Sequence, residues 1–195
     1  MEQAKTVLLC GVGGQGTILA ADLLAFGCME AGLDVKVSEI HGMAQRGGAV
    51  TTVVRIGESV QSMVSDPGCA DIIVAFETTE ALRNLPQLAQ GGALIVNDEA
   101  IKPLPVLIGA ASMPVDARGQ LSRAGALLVP ADAIARGLGN AKCAHVVLVG
   151  SLTARPDIPA EVGERAAAAR APAHTVEANL AALRAGRDLV ANQEA

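Results

Sequence analysis

Gly11-Val12-Gly13-Gly14-Gln15-Gly16 places glycines at the first, third and sixth positions of a G-x-G-x-x-G pattern. Glycine tolerates left-handed backbone, and its missing Cβ lets a ligand approach the peptide groups closely. Where a helix opens at the last glycine, its unpaired N–H groups and partial positive charge face a phosphate or carboxylate. The pattern points to an anion or nucleotide site, with a tight strand–helix turn that binds nothing as the plainer alternative. Glu39 ends the next strand pattern, where a nicotinamide-binding fold carries its ribose-binding acid. A free-standing NAD- or flavin-dependent oxidoreductase is the enzyme reading these two features support.

A second segment is His41-Gly42-Met43-Ala44-Gln45-Arg46-Gly47-Gly48. It follows the second strand pattern, at the sheet edge where open α/β folds collect ligands. The planar guanidinium of Arg46 fits a phosphate or carboxylate, His41 titrates near neutral pH, and Met43 offers adaptable apolar surface. A solvated loop whose Arg46 pairs with a carboxylate is the bland alternative. No nucleophile with a base partner is visible, so no catalytic residue is assigned. His145 and His174 read as packing or surface residues. Cys10, Cys28, Cys69 and Cys143 are far apart, with no C-x-x-C. An iron–sulfur cluster needs closely spaced thiolates, so four buried, apolar-behaving cysteines are expected, with no metal site and no disulfide framework.

The elements that must position these segments follow from periodicity. Residues 6–10 form an apolar run into the glycines, a first buried strand. Residues 17–31 predict a helix, apolar almost all round, so its second face must lie under another element or another subunit. Gly32 closes it. Residues 34–40 and 49–56 alternate as strands, and Gly57-Glu58 reads as a tight hairpin into a strand at 60–64. Residues 71–76, 93–97 and 126–129 predict further strands, with a short helix at 78–85. Residues 102–115 hold three prolines and resist placement. Helices at 131–138, 141–154, 160–170 and 175–191 complete the chain. Alternation of this kind predicts one α/β domain over residues 1–195: an open, mostly parallel Rossmann-like sheet, helices on both faces, one antiparallel hairpin, and a helical C-terminal part from about residue 131.

Composition narrows the function. The net charge is −5, and Phe26 and Phe76 are the only aromatics. Neither a basic footprint nor stacking rings recommend nucleic acid. No long uncharged apolar run predicts a membrane span, and no signal peptide is read, so a cytoplasmic location is expected.

In order, Gly11-Val12-Gly13-Gly14-Gln15-Gly16, then Ser38-Glu39-Ile40-His41-Gly42-Met43-Ala44-Gln45-Arg46-Gly47-Gly48, then Val54-Arg55-Ile56-Gly57 make the chain resemble the gamma module of 2-oxoacid:ferredoxin oxidoreductases, of the indolepyruvate type. Ala70-Asp71, Glu80-Ala81-Leu82-Arg83, Gly139-Asn140 and Glu177-Ala178-Asn179-Leu180 with Gly186 agree, so the resemblance covers nearly the whole chain. It departs at Lys142-Cys143-Ala144-His145, where the pattern has an asparagine, and in residues 102–115.

The resemblance implies an enzyme subunit. The complex decarboxylates a 2-oxoacid oxidatively, coenzyme A takes the acyl group, and ferredoxin takes the electrons. Thiamine diphosphate and the iron–sulfur clusters then sit on a large partner subunit. Gly11, Val12, Gly13, Gly14, Gln15 and Gly16 become the site for coenzyme A phosphates. His41, Gln45, Arg46 and Gly47 become contacts to coenzyme A or to the mouth of the partner's active site. The isolated chain is expected to be inactive and to self-associate through its partner-facing apolar surface.

Overall fold

The computed structural model describes residues 4–42, 47–156, 158–159 and 161–194. In chain order it runs β1 (Lys5–Val12), α1 (Thr17–Glu30), β2 (Asp34–His41), β3 (Ala49–Gly57), β4 (Ala70–Ala75), α2 (Thr78–Asn84), β5 (Leu88–Asn97), α3 (Leu104–Leu107), α4 (Ala117–Arg123), β6 (Leu127–Val129), α5 (Ala131–Gly137), α6 (Ala144–Thr153), α7 (Glu161–Arg170) and α8 (Val176–Glu194). Single 3-10 turns precede β5, α6 and α8.

The six strands form one sheet in the order β2-β3-β1-β4-β5-β6. β1, β4, β5 and β6 pair in parallel. β3 runs antiparallel between β1 and β2. The expected mostly parallel α/β sheet is therefore present, but its antiparallel excursion is β3 itself. No strand forms at residues 60–64. There only Val60 is buried, its N–H donating to Asp34 Oδ2 at 2.8 Å, while Gln61, Ser62, Met63 and Val64 face solvent. One inward residue in five offers no apolar face for a strand to bury.

Strand parity sorts the core. Val7, Leu9, Val54, Ile72, Val74 and Ile95 point to one face, covered by α1, α5, α6, α7 and α8. Leu8, Cys10, Val53, Ile73, Leu94 and Val96 point to the other, covered by Ala81 of α2 and Leu121 of α4. Helices thus lie on both faces, unevenly. The second face of α1 is answered within the chain: α7 buries Val162, Ala166 and Ala167 in the same helical layer. α6 is buried from Val146 to Thr153 because α8 crosses it with backbone against backbone. A Cβ at Gly150 would overlap the Leu183 carbonyl, and one at Gly186 the Val147 carbonyl. Ser151 Oγ stitches the crossing by donating to Gly186 O at 3.1 Å. Residues 102–115 contain only the single turn α3, with Leu104, Leu107, Ile108 and Val115 exposed. No described helix is long and apolar enough to cross a membrane.

Candidate functional site

The glycine turn joins β1 to α1 at the carboxyl edge of the parallel strands. Gly11 and Val12 are the last residues of β1, and Gly16 caps α1 with φ near +90° and no side chain to occupy the helix mouth. Gly14 has φ near +105°, a conformation L-residues rarely adopt, and nothing lies within 4 Å of where its Cβ would be. Gly13 N–H donates to Gly48 O at 2.8 Å, and Gly47 N–H donates to Gly13 O at 3.3 Å. The turn is thereby tied to the end of the second motif, just before β3.

Gln15 has a different job from its neighbours. Its Oε1 accepts from Val12 N–H at 2.8 Å and its Nε2 donates to Phe76 O at 2.9 Å. Both ends of the amide are committed to the protein, so Gln15 positions the turn against the end of β4. The same carbonyl of Phe76 accepts from Asn97 Nδ2 at 3.1 Å. Asn97 also donates to Asp132 Oδ2 at 2.7 Å and accepts from Ala131 N–H at 3.1 Å. One buried amide therefore links the ends of β4 and β5 to the start of α5.

Two clefts flank the turn. The first, about 410 Å³, is lined by Gly13, Gly14, Gly16, Thr17, Ile18, Leu19, His41 and Val50. Ile18 and Leu19 are exposed there, and His41 stands at its rim with Nδ1 3.1 Å from Gly42 O. The second, about 630 Å³, mixes apolar and charged side chains. Gly14, Gln15 and Gly16 line it from the turn, with Asn97, Glu99, Asp132, Arg136, Lys142 and His145 among apolar side chains such as Ile101 and Leu148. Of the expected site residues, Gly13, Gly14, Gly16 and His41 share the first cleft, and Gln15 lines the second. Gln45 and Arg46, with Met43, lie outside the described residues.

Glu39 does not reach the turn. β3 separates β2 from β1, so Glu39 stands about 10 Å across the sheet from β1, exposed and opposite Thr52. The ribose-binding acid expected for a dinucleotide fold is removed from its place by the inserted strand. His145 departs in the other direction, from a packing or surface residue to a wall of the site. A Cβ at Gly16 would lie 3.1 Å from its Cβ and Cγ. Burial holds its ring below the ordinary histidine range, with a hydrogen bond to the Lys142 backbone opposing. Asn97, Asp132 and Arg136 were also missed. A polar residue ending the apolar strand 93–97 at the carboxyl edge is the signal that marks Asn97.

Behind the turn, Glu77 caps α2 by accepting from the N–H groups of Thr79 and Glu80. Burial pushes the Glu80 carboxyl up, against the pull of Arg83. Burial, then the Glu80 and Glu77 charges, push the Cys10 thiol well above its usual range, which leaves it inert as a nucleophile. Cys10, Cys28 and Cys143 are buried as expected; Cys69 is exposed, because the turn before β4 faces solvent. Among the described residues, no three His, Cys, Asp or Glu side chains are placed to share a metal ion.

Comparison with known proteins adds the family. The profile described as Pyruvate ferredoxin/flavodoxin oxidoreductase matches residues 6–189. The chain is 36% identical over 192 residues to the indolepyruvate oxidoreductase subunit IorB of Thermococcus kodakarensis, covering 92% of this chain and 93% of that one. The subunit of the same name from Methanothermobacter thermautotrophicus is 36% identical, covering 92% and 94%. Among solved structures, the keto/oxoacid ferredoxin oxidoreductase gamma subunit of Geobacter sulfurreducens superposes with a TM-score of 0.72 at 23% identity, covering 96% and 99%. A 2-oxoglutarate:ferredoxin oxidoreductase from Magnetococcus marinus, solved with 2-oxoglutarate, coenzyme A and succinyl-CoA bound, matches with a TM-score of 0.73 at 18% identity over 98% of this chain and 32% of that one.

Proposed function

Because this chain belongs to the pyruvate ferredoxin/flavodoxin oxidoreductase family, we propose that it is the cluster-free subunit of an enzyme that converts indolepyruvate, or another aryl 2-oxoacid, to its acyl-coenzyme A. In that reaction the carboxylate leaves as carbon dioxide and the acyl carbon bonds to the thiol sulfur of coenzyme A. Two electrons pass to two ferredoxins and the thiol proton is released. The iron–sulfur clusters belong to the large partner subunit, since the cysteines described here are dispersed and mostly buried, and thiamine diphosphate is assigned to the same subunit. When bound there, they supply the carbanion chemistry and the electron path.

This chain's part is to hold coenzyme A. The observation that carries the reading is the open mouth of α1: Gly14 and Gly16 carry no side chain, and clefts open on both sides of the turn. Backbone N–H groups of the turn and the helix dipole would meet a coenzyme A phosphate, with Gln15 fixing the backbone from behind. Arg46 and Gln45 are assigned to the same ligand or to the partner's active-site mouth. The apolar cleft with Ile18 and Leu19 suits contact with the partner subunit.

Reconstitution tests the division of labour. Mixed with the large subunit, the chain should restore coenzyme A-dependent ferredoxin reduction by aryl 2-oxoacids, and alone it should show none. Decarboxylation by the purified chain alone would overturn the assignment, as would tight one-to-one binding of NAD or FAD.

A further inference from the structure

The second cleft beside the turn holds two cations that phosphate binding at the turn leaves without a task. Arg136 lies on α5 and Lys142 on the 3-10 turn before α6, and both line the cleft of about 630 Å³. Among the described residues, neither side chain has an ion-pair or hydrogen-bond partner. Asp132 precedes Arg136 by four residues on α5, so an acceptor and a cation share one helix face, about 6 Å apart along the axis. Asp132 is held in place from behind: Asn97, 3% exposed, donates to its Oδ2 at 2.7 Å. Its Oδ1 is left without a protein partner among the described residues.

An anchored carboxylate oxygen that shares one cleft with two unpaired cations complements one chemical group well: a sugar bearing a phosphomonoester next to a free hydroxyl. The hydroxyl donates to Asp132, and the phosphate takes charge-assisted hydrogen bonds from Arg136 and Lys142. Glu99 lines the same cleft, and its carboxylate repels a phosphate, so the phosphate is assigned to Arg136 and Lys142. We propose that this cleft is a sugar-phosphate subsite that recognises the ribose 3′-phosphate of coenzyme A. The assignment rests on the coenzyme A reading above, and adds to it the selection of coenzyme A over its 3′-dephospho form.

Isothermal titration of the full chain, free and in complex with the large subunit, tests this with coenzyme A, 3′-dephospho-coenzyme A and adenosine 3′,5′-bisphosphate. Coenzyme A should bind about tenfold more tightly than the dephospho form, the size expected of charge-assisted bonds at an exposed site. Arg136→Ala combined with Lys142→Ala should erase that preference and leave dephospho-coenzyme A unaffected. Both side chains are exposed, so the variant should fold. Equal affinity of the wild type for the two forms, or a full preference in the double variant, would overturn the proposal. If coenzyme A failed to bind but the bisphosphate bound and was lost in the double variant, the turn assignment would fall and this subsite would stand. If the bisphosphate also failed to bind, both would fall.

Discussion

Gly14 and Gly150 put the same residue to opposite uses. Around Gly14 nothing lies within 4 Å of a Cβ position, and the backbone is left-handed. At Gly150 the backbone is ordinary α6 helix, and a Cβ would run into the Leu183 carbonyl of α8. One glycine empties space at a sheet edge; the other fills space in a core. The contrast separates residues whose replacement should unfold the protein from residues whose replacement should leave the fold and remove the ligand.

The largest effect is expected at the helix crossing. Gly150→Ala must push α8 away from α6, and overpacking of this kind destabilises by about 3 kcal/mol. A thermal melt followed by circular dichroism should move down by roughly 10 °C for a chain of this size. An unchanged melt would mean that the crossing yields easily, and the contrast would lose its core half.

Gln15→Ala probes a residue that belongs to both regions. It strips the partners from Val12 N–H and Phe76 O, which is expected to cost about 2 kcal/mol. Because the turn loses its rear support, coenzyme A affinity should fall as well. Urea titration and ligand titration of the same variant check both. Lost affinity with full stability would make Gln15 a direct ligand contact instead of a positioning residue.

His145 gives a smaller, pH-dependent effect. Its folded pKa lies below the ordinary value of 6.5 because the ring is buried. The unfolded chain therefore binds the proton more readily, and this group removes stability as pH falls from about 6.5 towards the folded pKa. His145→Gln should lack that loss, so the gap between its melts at pH 7.5 and pH 5.5 should be narrower than in the wild type. Equal gaps would place the ring in solvent and away from Gly16.

The sequence made the edge-forming parts of this contrast readable and hid the rest for definite reasons. Strands such as residues 6–10 and 71–76 announce themselves because burial on both faces demands continuous apolar runs. The glycine turn is legible because few other residues permit its backbone. Strand order is not written locally: nothing in residues 49–56 says that they insert between β1 and β2 and move Glu39 away from the turn. The second cleft was invisible for the same reason. Asn97, Asp132, Arg136 and His145 sit on three different segments, β5, α5 and α6, that only the sheet edge brings together, and Asp132 and Arg136 alone look like surface residues. Residues 58–69 misled because Val60 and Val64 imitate strand spacing, while only Val60 is buried.

Coenzyme A binding by a Gly14→Asp variant, measured in the complex with the large subunit, tests the central claim most directly. The new side chain enters open space, so the melt should shift by only the strain of a left-handed non-glycine, about 1 kcal/mol. Its carboxylate would stand where the phosphate is assigned, so affinity for coenzyme A should fall by more than tenfold while the complex still assembles. Affinity equal to wild type in a folded, assembled complex would contradict the account and leave the glycine turn as a connection between β1 and α1.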